Sequence, residues 1–176
     1  LSLPLVTRFG ADPLLDLEVA NKRYVDNSSG GTGQTFARVV KKIDETIQSS
    51  NTLHDDDELF IALNINKVYH FIGSLYYDSG STPDFKYAAT FPTSATNRRV
   101  NDNWQSITKR NTSDFSTVSG NIAGVGAAIG TVAYEGFIVM STTAGNFQIQ
   151  WAQNTSAPED TIVKAGSFLV VWEETS

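Results

Sequence analysis

The chain has no cysteine, one methionine, two histidines and five prolines in 176 residues. Without cysteine there is no disulfide, no thiolate metal site and no thiol nucleophile. With only His54 and His70 to serve as base, a Ser-His-Asp triad has few ways to form. No Gly-x-Ser-x-Gly elbow is present either. Positive charge is scarce, with 13 Lys and Arg against 19 Asp and Glu and a net charge of −6. Nucleic-acid binding needs phosphate neutralisation and is not expected. The basic pairs Lys41-Lys42, Arg98-Arg99 and Lys109-Arg110 lie far apart and read as solvated strand ends. No run approaches the ~20 apolar residues of a membrane-spanning helix, so membrane insertion is not expected. No basic-then-apolar signal peptide opens the chain. The first residue is not Met, as expected of a fragment or processed product.

What the chain does have is alternation. Leu59, Ile61 and Leu63 share one parity, as do Tyr69, Phe71, Leu75 and Tyr77, and then Phe85, Tyr87, Ala89 and Phe91. A period of two marks strands with one buried face. Residues 52–91 therefore read as three strands with two turns, a meander around which the rest is organised. Ahead of it, Phe36, Val39 and Val40 mark one strand, and residues 44–48 a short second one. Behind it, residues 131–141 form a strong strand, followed by a hairpin turn at 143–146. Phe147, Ile149 and Trp151 alternate with Gln148, Gln150 and Ala152 in the next strand. Segments 161–164 and 167–172 close the domain. The last is apolar on both faces, which predicts a strand central in a sheet or covered by a neighbour. The expected fold is an all-β, jelly-roll-like antiparallel sandwich of about eight to ten strands.

Residues 92–120 are dominated by Thr, Ser, Asn and Asp. They read as a long surface loop region with one or two irregular strands. Loops on a rigid sandwich carry binding variation. Arg98, Arg99 and Trp104 are accordingly the candidate surface-binding residues, with Trp104 pinning the loop to the core. Gly124, Gly126 and Gly130 do not have the spacing or context of a dinucleotide loop, and read as small residues allowing close backbone approach. His54 followed by Asp55, Asp56, Asp57 and Glu58 is the strongest metal candidate. Asp55 and Asp57 carry the hard oxygens that suit Ca²⁺. The run lacks the spacing and glycine of an EF-hand, so a solvated acidic turn is expected, with no metal or other cofactor.

The amino-terminal part differs. Residues 1–11 read as an extended arm. Asp12, Pro13 and Asp16 are helix-start signals. Leu17, Ala20 and Tyr24 then fall on one helical stripe, with Val25 beside it. A helix of about ten residues is too short to stand alone in water and needs a partner. Residues 27–33 are a Gly/Ser linker, dividing the chain into 1–33 and a sandwich domain at 34–176.

Asp12-Pro13, Asp16 and the run from Ala20 through Lys22, Arg23, Tyr24 and Val25 to Asp26 resemble the ATKKYVD-type segment of tailed-bacteriophage tail-fibre and related virion proteins. Asn21 stands where that pattern has Thr. Thr52-Leu53, the acidic step to Leu59, Pro83 to Lys86, Trp151 to Ser156 and Val163 to Phe168 resemble a domain recurring in tailed-phage structural proteins. The resemblance implies a non-enzymatic virion component, a homotrimer whose short helix lies near the trimer axis. Leu17, Ala20, Tyr24 and Val25 become the oligomerisation or anchoring residues. Two placements follow, a tail-fibre or tail-tip module touching a bacterial surface glycan, or a capsid-exterior decoration protein held by its arm. Outside phage biology, the alternative is a carbohydrate-binding β-sandwich.

Overall fold

The computed structural model describes residues 36–104, 109–112, 119–122, 124 and 128–174, with backbone only at 97–104, 109–112 and 119–121. The sequence expectations for Leu17, Ala20, Tyr24 and Val25, and for the arm, helix and linker, lie outside these residues. Twelve strands occur among the described residues. They are β1 (Phe36–Val40), β2 (Glu45–Ile47), β3 (His54–Leu63), β4 (Val68–Ser79), β5 (Phe85–Thr90) and β6 (Thr96–Trp104). The rest are β7 (Lys109–Thr112), β8 (Ser119–Ile122), β9 (Gly130–Val139), β10 (Gly145–Gln153), β11 (Thr161–Val163) and β12 (Phe168–Glu173).

The strands form two antiparallel sheets. The eight-stranded sheet runs β1-β12-β4-β9-β6-β7, with β11 beside β4 and β2 beside β11. The four-stranded sheet runs β3-β10-β5-β8. Setting aside the short β2 and β11 and the β6–β7 pair leaves β1-β12-β4-β9 facing β3-β10-β5-β8. That order is a jelly roll, in which the chain crosses repeatedly from one sheet to the other.

The crossing corrects the meander reading. β3, β4 and β5 follow one another in the chain, yet none pairs with another. β3 and β5 flank β10 in one sheet while β4 lies in the other. The 143–146 turn is likewise an arch between sheets, because β9 pairs with β4 and β6 while β10 pairs with β3 and β5. Alternation reveals which face of a strand is buried. It does not reveal whether the next strand lies alongside it or across the core.

The core lies between the sheets. Phe71, Leu75, Tyr77, Val132, Tyr134, Ile138, Leu169 and Val171 come from one side, and Leu59, Ile61, Leu63, Phe85, Tyr87, Phe147, Ile149 and Trp151 from the other. Tyr77 stacks on Phe85 with centroids 4.5 Å apart, and Phe71 meets Phe147 at 4.9 Å. Each buried side chain of this size contributes about 1.5–3 kcal/mol. Glycine makes room for two of the rings. A Cβ at Gly73 would lie 2.3 Å from the Tyr134 ring, and one at Gly130 would lie 2.3 Å from the Tyr77 ring.

Residues 92–120 contain β6, β7 and β8, more strand than expected. β6 pairs with β9 over most of its length. Its Asn- and Asp-rich sequence conceals a strand because the ladder uses backbone groups, whatever the side chains.

Candidate functional site

Two groupings depart from the ordinary distribution of residues. The first is a charged cluster inside the molecule. In β1, Ala37 and Val39 pack against the core, and Lys41 continues that inward parity just past the strand end. Lys41 is 2% exposed and Asp56 1% exposed, and their side chains meet at 2.9 Å. Lys41 Nζ also bonds Glu45. Residues 56–59 of β3 stand opposite Ile149 alone, a bulge that breaks the alternation and turns Asp56 inward. Asp56 Oδ1 accepts the N–H groups of Glu58 at 3.0 Å and Leu59 at 2.9 Å, which fixes the bulge. Trp151 Nε1 donates to Asp56 Oδ2 at 3.1 Å. Gln148 Nε2 donates to the Asp56 carbonyl at 2.8 Å.

His54 completes the cluster. Its Nε2 lies 3.0 Å from Glu45 Oε1, and because a carboxylate only accepts, this nitrogen donates. Its ring meets Trp151 edge-on at 4.3 Å. Its Nδ1 is buried without a hydrogen-bond partner. Burial pushes the Glu45 carboxyl up, but hydrogen bonds from His54 and Lys41 and the Lys41 charge outweigh it and hold the group at about 2. Burial pulls the Lys41 ammonium down, and its bonds to Glu45 and Asp56 outweigh that and raise it.

The cluster corrects two expectations. Lys41 is not a solvated strand end, and the acidic run is not a solvated turn but the start of β3. The structure does not bring Asp55 and Asp57 together as cation ligands. Asp55 accepts Gln150 Nε2 at 2.8 Å, and Asp57 is exposed. Glu58 accepts the backbone N–H groups of Lys42 and Ile43. Among the described residues no group of three His, Cys, Asp or Glu is arranged to hold a metal ion. The inward parity shared by Ala37, Val39 and Lys41 was the available signal for the buried lysine.

The second grouping is an aromatic row outside the molecule. On the outer face of the larger sheet, Phe36 pairs with Trp172, Trp172 with His70, and His70 with Phe137. The rings follow one another at 6.3, 5.6 and 6.4 Å. His70 and Trp172 stack with planes 15° apart, and His70 Nε2 lies 3.2 Å from Glu174. The next register row is Arg38, Val170, Ile72 and Glu135, and the one after it Val40, Phe168, Ser74 and Ala133. Phe36 is 63% exposed and Ile72 40% exposed. A shallow cleft of about 230 Å³ lies on this face, lined by His70, Ile72, Glu135, Phe137 and Trp172. Apolar side chains grouped this way on an outer face make it a candidate contact surface. The signal in the sequence was an aromatic or His at the solvent parity of four separate strands.

Arg98, Arg99 and Trp104 are not loop residues, since all three belong to β6. Arg99 is the register partner of Phe137, and Trp104 that of Val132. No protein-family model, no curated protein and no solved structure matches this chain.

Proposed function

We propose that this chain is a non-enzymatic structural protein of a tailed-phage virion. It serves as a homotrimeric β-sandwich module of a tail fibre or tail tip that mediates attachment or assembly. The observation that carries the reading is the aromatic row, a contact surface on a rigid jelly-roll scaffold. The resemblance of residues 20–26 to the tail-fibre segment supports the virion context, and a short helix that needs a partner supports the trimer. The described histidines direct Nε2 to carboxylates, His54 to Glu45 and His70 to Glu174, which suits a structural role.

Immunogold electron microscopy of the source virion, with antibody to the sandwich domain, tests this. Label at the tail end or fibres is the expected result. Label over the head moves the protein to the capsid exterior and makes residues 1–26 the anchor. Particles without label would sink the virion reading. A monomer by light scattering at micromolar concentration would remove the trimer.

A further inference from the structure

The outer face of the larger sheet has an order that exposure alone does not explain. Across the four strands from β1 to β9, its middle row ends in a positive charge on β1, Arg38, and a negative charge on β9, Glu135, with Val170 and Ile72 between them; beyond β9 it continues to Asn101 of β6. Both end residues are exposed. Three strand spacings, about 14 Å, separate the two ends. The rows on either side carry no opposed like charges. From β1 to β9 one is Phe36, Trp172, His70 and Phe137, with Arg99 of β6 next and outside the four strands that would meet, and the other is Val40, Phe168, Ser74 and Ala133, with Asn103 next.

We propose that this face is a self-pairing surface, on which a second copy of the chain docks about a two-fold axis parallel to the strands and between β12 and β4. Rotation about that axis lays each row over itself in reverse. Arg38 of one copy then faces Glu135 of the other, and Glu135 faces Arg38. Phe36 faces Phe137, Trp172 faces His70, and Val170 faces Ile72. Such a contact is isologous, so each attractive pair occurs twice. Two sheets packed this way keep their strands within about 30° of each other, as in a sandwich. Trp172 and His70 lie nearest the axis, where aromatic anchors contribute most.

A sheet face suits this row better than a sugar does. A sugar ring packs on an open aromatic face. Here Trp172 and His70 stack on each other, and Phe36 lies 6.3 Å from Trp172 on its other side. The faces that Trp172 and His70 turn to each other are closed to a sugar, whereas apolar side chains of a second sheet can pack among the rings. The inference draws on the same aromatic row as the functional reading but does not require a virion.

A face about 19 Å across is at the small end of specific interfaces, so the assay reaches about 100 µM. Sedimentation equilibrium of the full chain gives its copy number. Two copies support the pair and remove the trimer, and six support both. One or three copies at the highest concentration overturn the pair, and three leaves the trimer standing. Arg38→Glu places like charges at both contacts and is expected to weaken association at least about tenfold. Arg38→Glu with Glu135→Arg restores opposite charges and is expected to return it to within about twofold. Failure of that double variant to recover, with an unchanged urea midpoint, overturns the geometry. Glycan-array binding that Trp172→Ser abolishes, without any change in copy number, would assign the face to sugar instead.

Discussion

The molecule departs twice from the rule that charges lie outside and rings inside, and the two departures differ. At the corner of β1 and β3, a lysine and an aspartate are buried. On the outer face of β1, β12, β4 and β9, aromatic rings meet solvent. The inner departure is closed. Asp56 receives Lys41, Trp151 and two backbone N–H groups, so its charge is matched and its oxygens are occupied. The outer departure is open, with Arg38 and Glu135 at its ends and apolar side chains between. A satisfied buried charge explains itself as architecture. A partly exposed row with no such closure is what the self-pairing proposal rests on.

If that distinction holds, damage to the inner cluster lowers stability, and damage to the outer row lowers association. The largest effect is expected from Asp56→Ala, which leaves Lys41 buried beside Glu45 alone and frees the bulge N–H groups. It should cost about 3–5 kcal/mol in urea unfolding. A loss under about 1 kcal/mol would show that the cluster is looser than its geometry.

The next largest effect is a pH dependence. The Glu45 carboxyl is held at about 2 in the folded chain, below its ordinary 4.5. A depressed carboxyl stabilises the native state above its ordinary value, and that contribution disappears as pH falls from 4.5 towards 2. The loss should be on the order of 2–3 kcal/mol, and Glu45→Gln should flatten this limb. Lys41 acts in the opposite direction. Its raised value means a contribution held in full below 10.5 and lost as pH climbs beyond it. Denaturation midpoints measured across both limbs check the two signs.

Trp151→Phe removes the indole N–H from Asp56 and some core volume, and is expected to cost about 2 kcal/mol by thermal unfolding. The smallest change in stability should come from Phe36→Ser, within about 0.5 kcal/mol, because the ring is already in water. The same variant should weaken self-association. If it unfolds the domain instead, the row belongs to the architecture and the comparison fails.

The sequence made the buried faces legible. Leu59, Ile61, Leu63, Phe71, Leu75, Tyr77, Phe85 and Tyr87 all reach the core that their alternation predicts. The central position of the final strand was also legible, since β12 lies between β1 and β4. Partner choice was not, because β3, β4 and β5 look the same whether they pair or face each other. Lys41 was misread because its match, Asp56, is fifteen residues away, across a bulge that alternation cannot show. β6 was legible only as one of the irregular strands expected within residues 92–120, because its Thr, Asn, Arg and Asp side chains carry no apolar period. The outer row was visible only as scattered aromatics, since it exists through the register of four strands that are distant in the chain.

The position of β12 has a consequence for biosynthesis. This strand closes the larger sheet by filling the gap between β1, made first, and β4. Until residues 168–173 leave the ribosome, β1 has no partner among the described strands and β4 keeps an open edge. The larger sheet therefore cannot close before β12 has been made. A chain that stops short of β12 exposes two unpaired backbone edges, which proteases and chaperones recognise. β12 thus sets the earliest point at which the sandwich can close, long after β1 has been made.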